Sequence, residues 1–279
     1  MKATLYIISL VISTSCFGQD FKYFDFKSKF DWSQIETDKV TTNLLESNYD
    51  FLKGNPYPEL EYILENMDKY HLFDINNDNI NELIFNGWNG GEGEMVVIYK
   101  LIGEHYEENQ NFFGRIVDII QTEPNQTKLM IYDYACCGGY VDNIETFNYN
   151  SKKQQFEIVN SVAKIDLTTI PTDLIKPIKF EIRNTPYNLR YLPEIAAGPK
   201  DGEYDFNAIQ GQNIAAIYKT GDTGTVYAES KDSTGRVWWF VVMDSKPDSG
   251  ETLYYDGNNH IEDYKPIGWL SSRYVEIID

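Results

Sequence analysis

The sequence predicts an α+β domain with a mostly antiparallel sheet, followed past a proline-bearing break by a second, strand-rich unit. Three observations carry this reading. Aromatic residues make up 15% of the 279 residues, with 21 Tyr, a composition that favours pleated, half-buried surfaces. Two early stretches have helical spacing, and strand-like apolar runs bounded by turn residues follow them. Residues 167–179 then interrupt the strand pattern with Pro171 and Pro177. The expected boundaries are 20–166 for the first domain, 167–179 for a linker and 180–279 for the second domain.

Residues 1–18 read as a secretory signal peptide: Lys2, an apolar run over residues 3–12, and Gly18 before Gln19. The apolar run falls short of the ~20 residues that a membrane-spanning helix needs, and no other run approaches that length. Cleavage after Gly18 predicts an exported protein, periplasmic or secreted. Lipidation at Cys16 is the competing reading, although Ser13 stands where such signals carry a leucine-like residue. Cleavage removes Lys2 alone among charged residues, so the net charge moves from −19 to −19 − 1 = −20. This acidity argues against nucleic acid and anionic lipid as electrostatically held partners, and it suits divalent cations or a basic protein.

Residues 33–48 and 58–70 carry the helical spacing, the second through Leu60, Ile63, Leu64 and Met67. Pro58 suits a first helical turn, and Glu59 and Glu61 suit the positive end of the helix dipole. Trp32, Leu44 and Leu45 read as packing residues.

Residues 74–82 are the most informative stretch of the first domain. Asp74, Asn76 and Asp78 place side-chain oxygens at every second position, the donor type that a hard cation such as Ca²⁺ selects. Ile80 can add a backbone carbonyl and Glu82 a further carboxylate, directly or through water. The start matches D-x-[DN]-x-[DN]-G with Asn79 in place of glycine, and Asn tolerates the left-handed conformation better than most residues. Phe85 occupies the place of the pattern's final Glu. The flanks, 71–73 and 83–85, look like short strands and not the helices of an EF-hand. A metal-free turn rich in Asn and Asp is the alternative. The stretch resembles the calcium loops of FG-GAP and VCBS-type repeats, in a single copy, which implies bound calcium with a structural role.

The glycine-rich segment 87–94 lacks a following helix and a Lys-Ser/Thr ending, so it reads as a turn between strands and not as a phosphate cradle. Glu92 or Glu94 could at most complete the neighbouring cation site. Strand-like runs follow at 95–99, 115–121, 129–134, 144–149 and 156–164. Between two of them lies Cys136 beside Cys137. In an exported protein this pair can form a vicinal disulfide, stay free or join another chain. A thiol nucleophile would need a base within reach, and His71, His105 and His260 stand at no telling spacing. A non-catalytic pair is expected. The chain has no His-Glu-x-x-His, no Gly-x-Ser-x-Gly and no second cysteine pair at zinc spacing, so the sequence does not point to an enzyme.

The last hundred residues resemble a bacterial SH3 domain. The resemblance lies in 187–190 (Tyr-Asn-Leu-Arg), the Gly221-Asp222 turn before 225–229, 238–242 (Trp-Trp-Phe-Val-Val), and the closing 267–275 with Ile-Gly-Trp-Leu-Ser-Ser. It implies an all-β SH3-like barrel that attaches to a cell-wall peptide or protein partner. Two insertion-like segments, 196–213 and 246–265, depart from that pattern. Trp269 and one of Trp238 and Trp239 are expected in the core, the others free to line a groove. Trp238, Trp269, Tyr254 and Tyr255 are the candidate ligand contacts, the two tyrosines being the better candidates for exposed positions. Taken together, the sequence predicts an exported, calcium-stabilised, non-catalytic binding protein. A cysteine-dependent hydrolase or thiol-redox enzyme, and an acidic inhibitor or immunity-type protein, are the rival readings.

Overall fold

The computed structural model describes residues 24, 26, 29–35, 38–54, 56–91, 93–134, 141–195, 213–247, 252–254 and 264–278. The expected signal peptide, Cys16, Cys136, Cys137, His260 and Tyr255 lie outside them.

Three short helices precede the sheets: α1 (Thr42–Ser47), α2 (Tyr49–Leu52) and α3 (Leu60–Glu65). Thr41 caps α1, its Oγ1 accepting the Leu44 N–H at 3.2 Å. Glu59 is the residue just before α3 and Glu61 lies in its first turn, as the acidic start near Pro58 suggests. These helices bury Leu45, Leu52 and Ile63 against one face of a four-stranded antiparallel sheet. That sheet is a meander of β1 (Tyr70–Phe73), β2 (Glu82–Trp88), β3 (Glu94–Ile102) and β4 (His105–Phe113).

Strands β2 and β3 are buried on both faces, which explains their near-continuous apolar runs. Leu83, Phe85, Val97 and Tyr99 point to the helices. Ile84, Val96 and Ile98 point the other way, onto Ile116, Leu129, Ile131 and Phe147 of the second sheet. The chain passes from the first sheet to the second through the single residue Gly114. Its φ is +98°, and a Cβ there would lie 2.2 Å from the Tyr132 carbonyl oxygen, so only glycine fits this corner.

The second sheet begins with β5 (Arg115–Glu123), β6 (Gln126–Asp133), β7 (Val141–Asn150) and β8 (Gln155–Ile165), an antiparallel run. The C-terminal strands are β9 (Ile178–Ile182), β10 (Tyr187–Arg190), β11 (Ile214–Tyr218), β12 (Thr223–Lys231), β13 (Val237–Met243), β14 (Lys265–Ser271) and β15 (Val275–Ile277). They continue the same sheet, because β14 pairs in parallel with β8, Lys265 opposite Val162 and Pro266 opposite Ala163. The main path runs β15-β9-β12-β13-β14-β8-β7-β6-β5, with β10 and β11 attached at β14.

This topology corrects the predicted fold class. The protein is mostly β, and among the described residues neither sheet closes into a barrel, so it is not an α+β domain joined to a separate SH3-like barrel. The physical reason lies in what β14 buries. Five of its seven residues are buried in a row, a pattern that requires cover on both faces. One side packs Ile267 and Trp269 with Val117, Met130, Ile144 and Val162. The other places Leu270 in a core that joins Val141, Ala163 and Ile165 to Phe180, Val226 and Val241. Both cores draw on both halves of the chain. Segment 167–179 is packed as well: the Thr169 carbonyl accepts from Trp269 Nε1 at 2.8 Å, and Ile175 N–H bonds the Tyr227 carbonyl at 2.7 Å.

Candidate functional site

The loop at residues 74–82 joins β1 to β2 and is folded about its own carboxylates. Asp74 accepts the backbone N–H of Asp78 at 2.9 Å and of Asn79 at 2.6 Å, and Asp78 accepts that of Ile80 at 2.9 Å. Asn77 and Asn79 have φ of 60° and 72°, so Asn79 takes the left-handed conformation that the glycine position of the pattern demands. The loop is fastened to the β5–β6 hairpin: Asn125 N–H bonds the Asn77 carbonyl, Asn77 Nδ2 the Glu123 carbonyl, and Gln121 Nε2 the Asp74 carbonyl.

Glu82 lies beneath this loop, 3% exposed, accepting from Ile75 N–H at 3.1 Å and from Asn76 Nδ2 at 2.6 Å. Burial, and then the nearby Asp78 carboxylate, push its carboxyl up to about 8. Asn76 is also 3% exposed, and its Oδ1 has no hydrogen-bond partner. A buried oxygen without a donor and a buried carboxyl without a counter-charge are both deficits that a cation relieves. The donor chemistry therefore fits an oxygen-seeking divalent ion. The geometry is less closed than the chemistry: among the described residues no three Asp, Glu, His or Cys side chains gather as a metal cluster. The Ile80 side chain is half exposed.

The remaining sequence candidates fall elsewhere. Tyr254, Trp238 and Trp269 are 1%, 1% and 2% exposed, with Tyr254 Oη bonded to the Ile267 carbonyl and Trp238 Nε1 to Asp232. They are core residues with satisfied polar ends, so Tyr254 does not present the exposed contact expected of it. Burial of Trp269 and of one of the adjacent tryptophans agrees with the strand alternation. His71 is stacked on Trp32 with ring centroids 4.0 Å apart, and His105 is stacked on Phe51 at 4.6 Å.

A second feature escaped the sequence. At the far end of β2 and β3 from the acidic loop lies a cleft of about 810 Å³. Glu94, at the start of β3, accepts from Arg115 Nη1 at 3.1 Å and forms an ion pair with Lys29 at 3.5 Å. It cannot complete the cation site, which adjoins the opposite end of β2. The Gly114 corner delivers Arg115 to this position, and the guanidinium lies 4.7 Å over the Tyr132 ring. Deeper in, Lys164 and Asp142 form an ion pair, each residue 6% exposed, with the Lys164 ammonium 5.0 Å from the Phe26 ring. Burial, and then the Asp142 carboxylate, raise the pKa of the Tyr132 phenol. Trp88 flanks the cleft with 48% of its surface exposed, and Tyr134 lines it too. The signal available in the sequence was Lys164, a charge set among Val162, Ala163 and Ile165 in an apolar strand.

No family model, curated protein or solved structure matches this chain.

Proposed function

We propose that the protein is an exported, non-catalytic binding protein in which the loop at residues 74–82 takes a calcium ion as a structural fastener. The observation that carries this reading is that a loop with Asp74 and Asp78 also buries Glu82, hydrogen-bonded to Asn76, and an unpartnered Asn76 Oδ1. The loop already holds the left-handed turn and bonds to the β5–β6 hairpin, so an ion bound there would lock the two sheets together at one end. A cell-wall peptide or protein is the partner class proposed, on the sequence resemblance of residues 180–279 and not on a closed barrel.

The test is the melting temperature of the protein in calcium against chelator. An ion bound only by the folded state stabilises by mass action, ~2.7 kcal/mol at a hundredfold excess over its dissociation constant. Asp78→Asn keeps an acceptor for the Ile80 N–H but removes the charge, and should abolish the shift without unfolding the apo protein. A melting curve unmoved by millimolar calcium would remove the fastener from this reading.

A further inference from the structure

On one face of strands β6, β7 and β8 the apolar side chains are interrupted by a polar group. Leu129, Ile131 and Phe147 pack in the core between the two sheets, and Val141, Ala163 and Ile165 pack in the core shared with the C-terminal strands. Between these groups stand Asp133, Asn143, Glu145 and Ser161. The strand register sets them side by side: Asp133 is opposite Asn143, Glu145 is opposite Ser161, and Asn143 and Glu145 are two residues apart on β7. Residues paired in this way carry Cβ atoms ~4.5–5.5 Å apart. Lys128 and Lys164 stand at the alternate positions of β6 and β8 and belong to the other face, so these strands bring no cation of their own to the four.

Each of the four offers oxygen, and three of them lack donors. Asn143 is 6% exposed and Ser161 2%, and neither Asn143 Oδ1 nor Ser161 Oγ has a hydrogen-bond partner. Among the described residues none donates to the Glu145 carboxylate or pairs with it as an ion. Burial, and then the like charge of Asp133, push that carboxyl up to about 7. A proton on Glu145 would satisfy one acceptor, whereas a divalent ion satisfies every oxygen that reaches it. Carboxylate, amide oxygen and hydroxyl, with no imidazole or thiolate, select a hard ion. Two carboxylates binding through both oxygens, with the amide and the hydroxyl, supply about six donors, the lower end of the ~6–8 that Ca²⁺ takes in flexible geometry. Mg²⁺ demands a near-ideal octahedron and keeps its waters. We infer that this face carries a calcium site of its own, held by Asp133, Asn143, Glu145 and Ser161. It lies apart from the loop at residues 74–82, because Asp133 follows Tyr132, which pairs with Arg115 at the opposite end of β5 from Gln121 and Glu123.

Calcium binding to the full chain, counted by calorimetry at about pH 8 so that carboxylates are ionised, separates this site from the loop. Asp78→Asn, which disarms the loop, should still take up calcium with a dissociation constant of about 1 mM or tighter, and should prefer it to magnesium. In that background Glu145→Gln should weaken the remaining binding about tenfold or more, and Asn143→Ala should weaken it as well. Glutamine keeps the shape of the side chain and removes a desolvated charge, so this variant should melt no lower than its parent in chelator, which separates lost binding from lost folding. If the loop takes no ion, wild type and Asp78→Asn bind calcium alike and this site stands. The inference is overturned if Asp78→Asn takes up no calcium at about 10 mM, if Glu145→Gln or Asn143→Ala leaves the affinity unchanged, or if magnesium binds as tightly as calcium.

Discussion

The ion pair of Lys164 with Asp142 gives the sharpest energetic test of the structure. Both residues are 6% exposed and stand opposite each other on β7 and β8, with Asp142 among the residues that line the cleft. Asp142 also accepts a hydrogen bond from Tyr132, and Lys164 reaches the Asp166 carbonyl at 3.4 Å. Lys164→Met removes the ammonium but leaves the Asp142 carboxylate buried, with Tyr132 as a neutral donor. Breaking a buried pair in this way costs ~3–5 kcal/mol, because the remaining charge stays desolvated. Asp142→Asn keeps an acceptor for Tyr132 and strands the ammonium, which the Phe26 ring and the Asp166 carbonyl partly offset, for ~2–3 kcal/mol. The double variant contains no stranded charge and should lose only ~1 kcal/mol through altered packing. The coupling energy is therefore several kcal/mol, well above the ~0.3–0.5 kcal/mol error of additivity. Urea unfolding of the four proteins, with unchanged denaturant dependence, measures it. Additive single effects of ~1 kcal/mol or less would mean that the pair is solvated like a surface ion pair, and would refute its burial.

Two further outcomes follow from the shared core and from His71. Residues 180–279 alone should not fold cooperatively, because Trp238, Phe240 and Trp269 lose the cover of Val117, Met130, Ile144 and Val162. At ~1.5–3 kcal/mol per large apolar side chain, their exposure alone approaches the ~5–15 kcal/mol stability of a whole domain. A sharp melting transition with near-ultraviolet dichroism from that fragment would contradict the fused sheet. His71 is held down at about 4 by burial, with Asp68 working against the shift and Lys69 adding to it, against an ordinary value near 6.5. The folded state thus favours the neutral ring; its contribution is full above about 6.5 and is lost as the pH falls toward 4. Discounted for partial exposure, the loss is about 1 kcal/mol at pH 5. Glu145, raised to about 7 by burial and then Asp133, works in the opposite sense, costing stability as the pH rises from about 4.5. The measurement is therefore the difference between wild type and His71→Phe, which keeps a ring against Trp32. That difference should shift against wild type between pH 7 and pH 5, and a constant difference would place His71 in solvent.

Much of the strand content was legible, because apolar alternation reports burial directly. The runs at 115–121, 144–149 and 156–164 fall within β5, β7 and β8, 129–134 passes the end of β6 by one residue, and 238–242 falls within β13. The edge strand β4 was hidden: its His-Tyr-Glu-Glu-Asn-Gln-Asn-Phe-Phe sequence buries only Tyr106 and Phe112. The predicted helices proved shorter, since Asp38 leaves helical spacing to bridge Leu72 of β1. Strand β9 begins at Ile178, inside the segment that the two prolines marked as a linker. The barrel failed for a non-local reason. Trp-Trp-Phe-Val-Val and Ile-Gly-Trp-Leu-Ser-Ser report two strands that pair with each other, and they do, Phe240 opposite Trp269. They do not report that the open side of the second strand is occupied by β8, more than a hundred residues earlier. The cleft was illegible for the same cause, since Arg115 meets Glu94 only after the chain turns at Gly114.

The acidic loop and the cleft are separate because one strand connects and spaces them. Arg115, the first residue of β5, reaches Glu94 in the cleft, whereas Gln121 and Glu123 at its other end hold the loop at residues 74–82. Nine residues of extended chain span roughly 25–30 Å, far beyond the reach of a direct contact between an ion at Asp74 and the cleft at Trp88. Energetic coupling across that distance needs an element with two arrangements. Strand β5 offers none in view: Ile116 is fully buried between the sheets with Leu129 and Ile131, and β6 pairs along almost its whole length. An ion in the loop consequently acts on the free energy of folding, and the arrangement of the cleft stays the same with or without it.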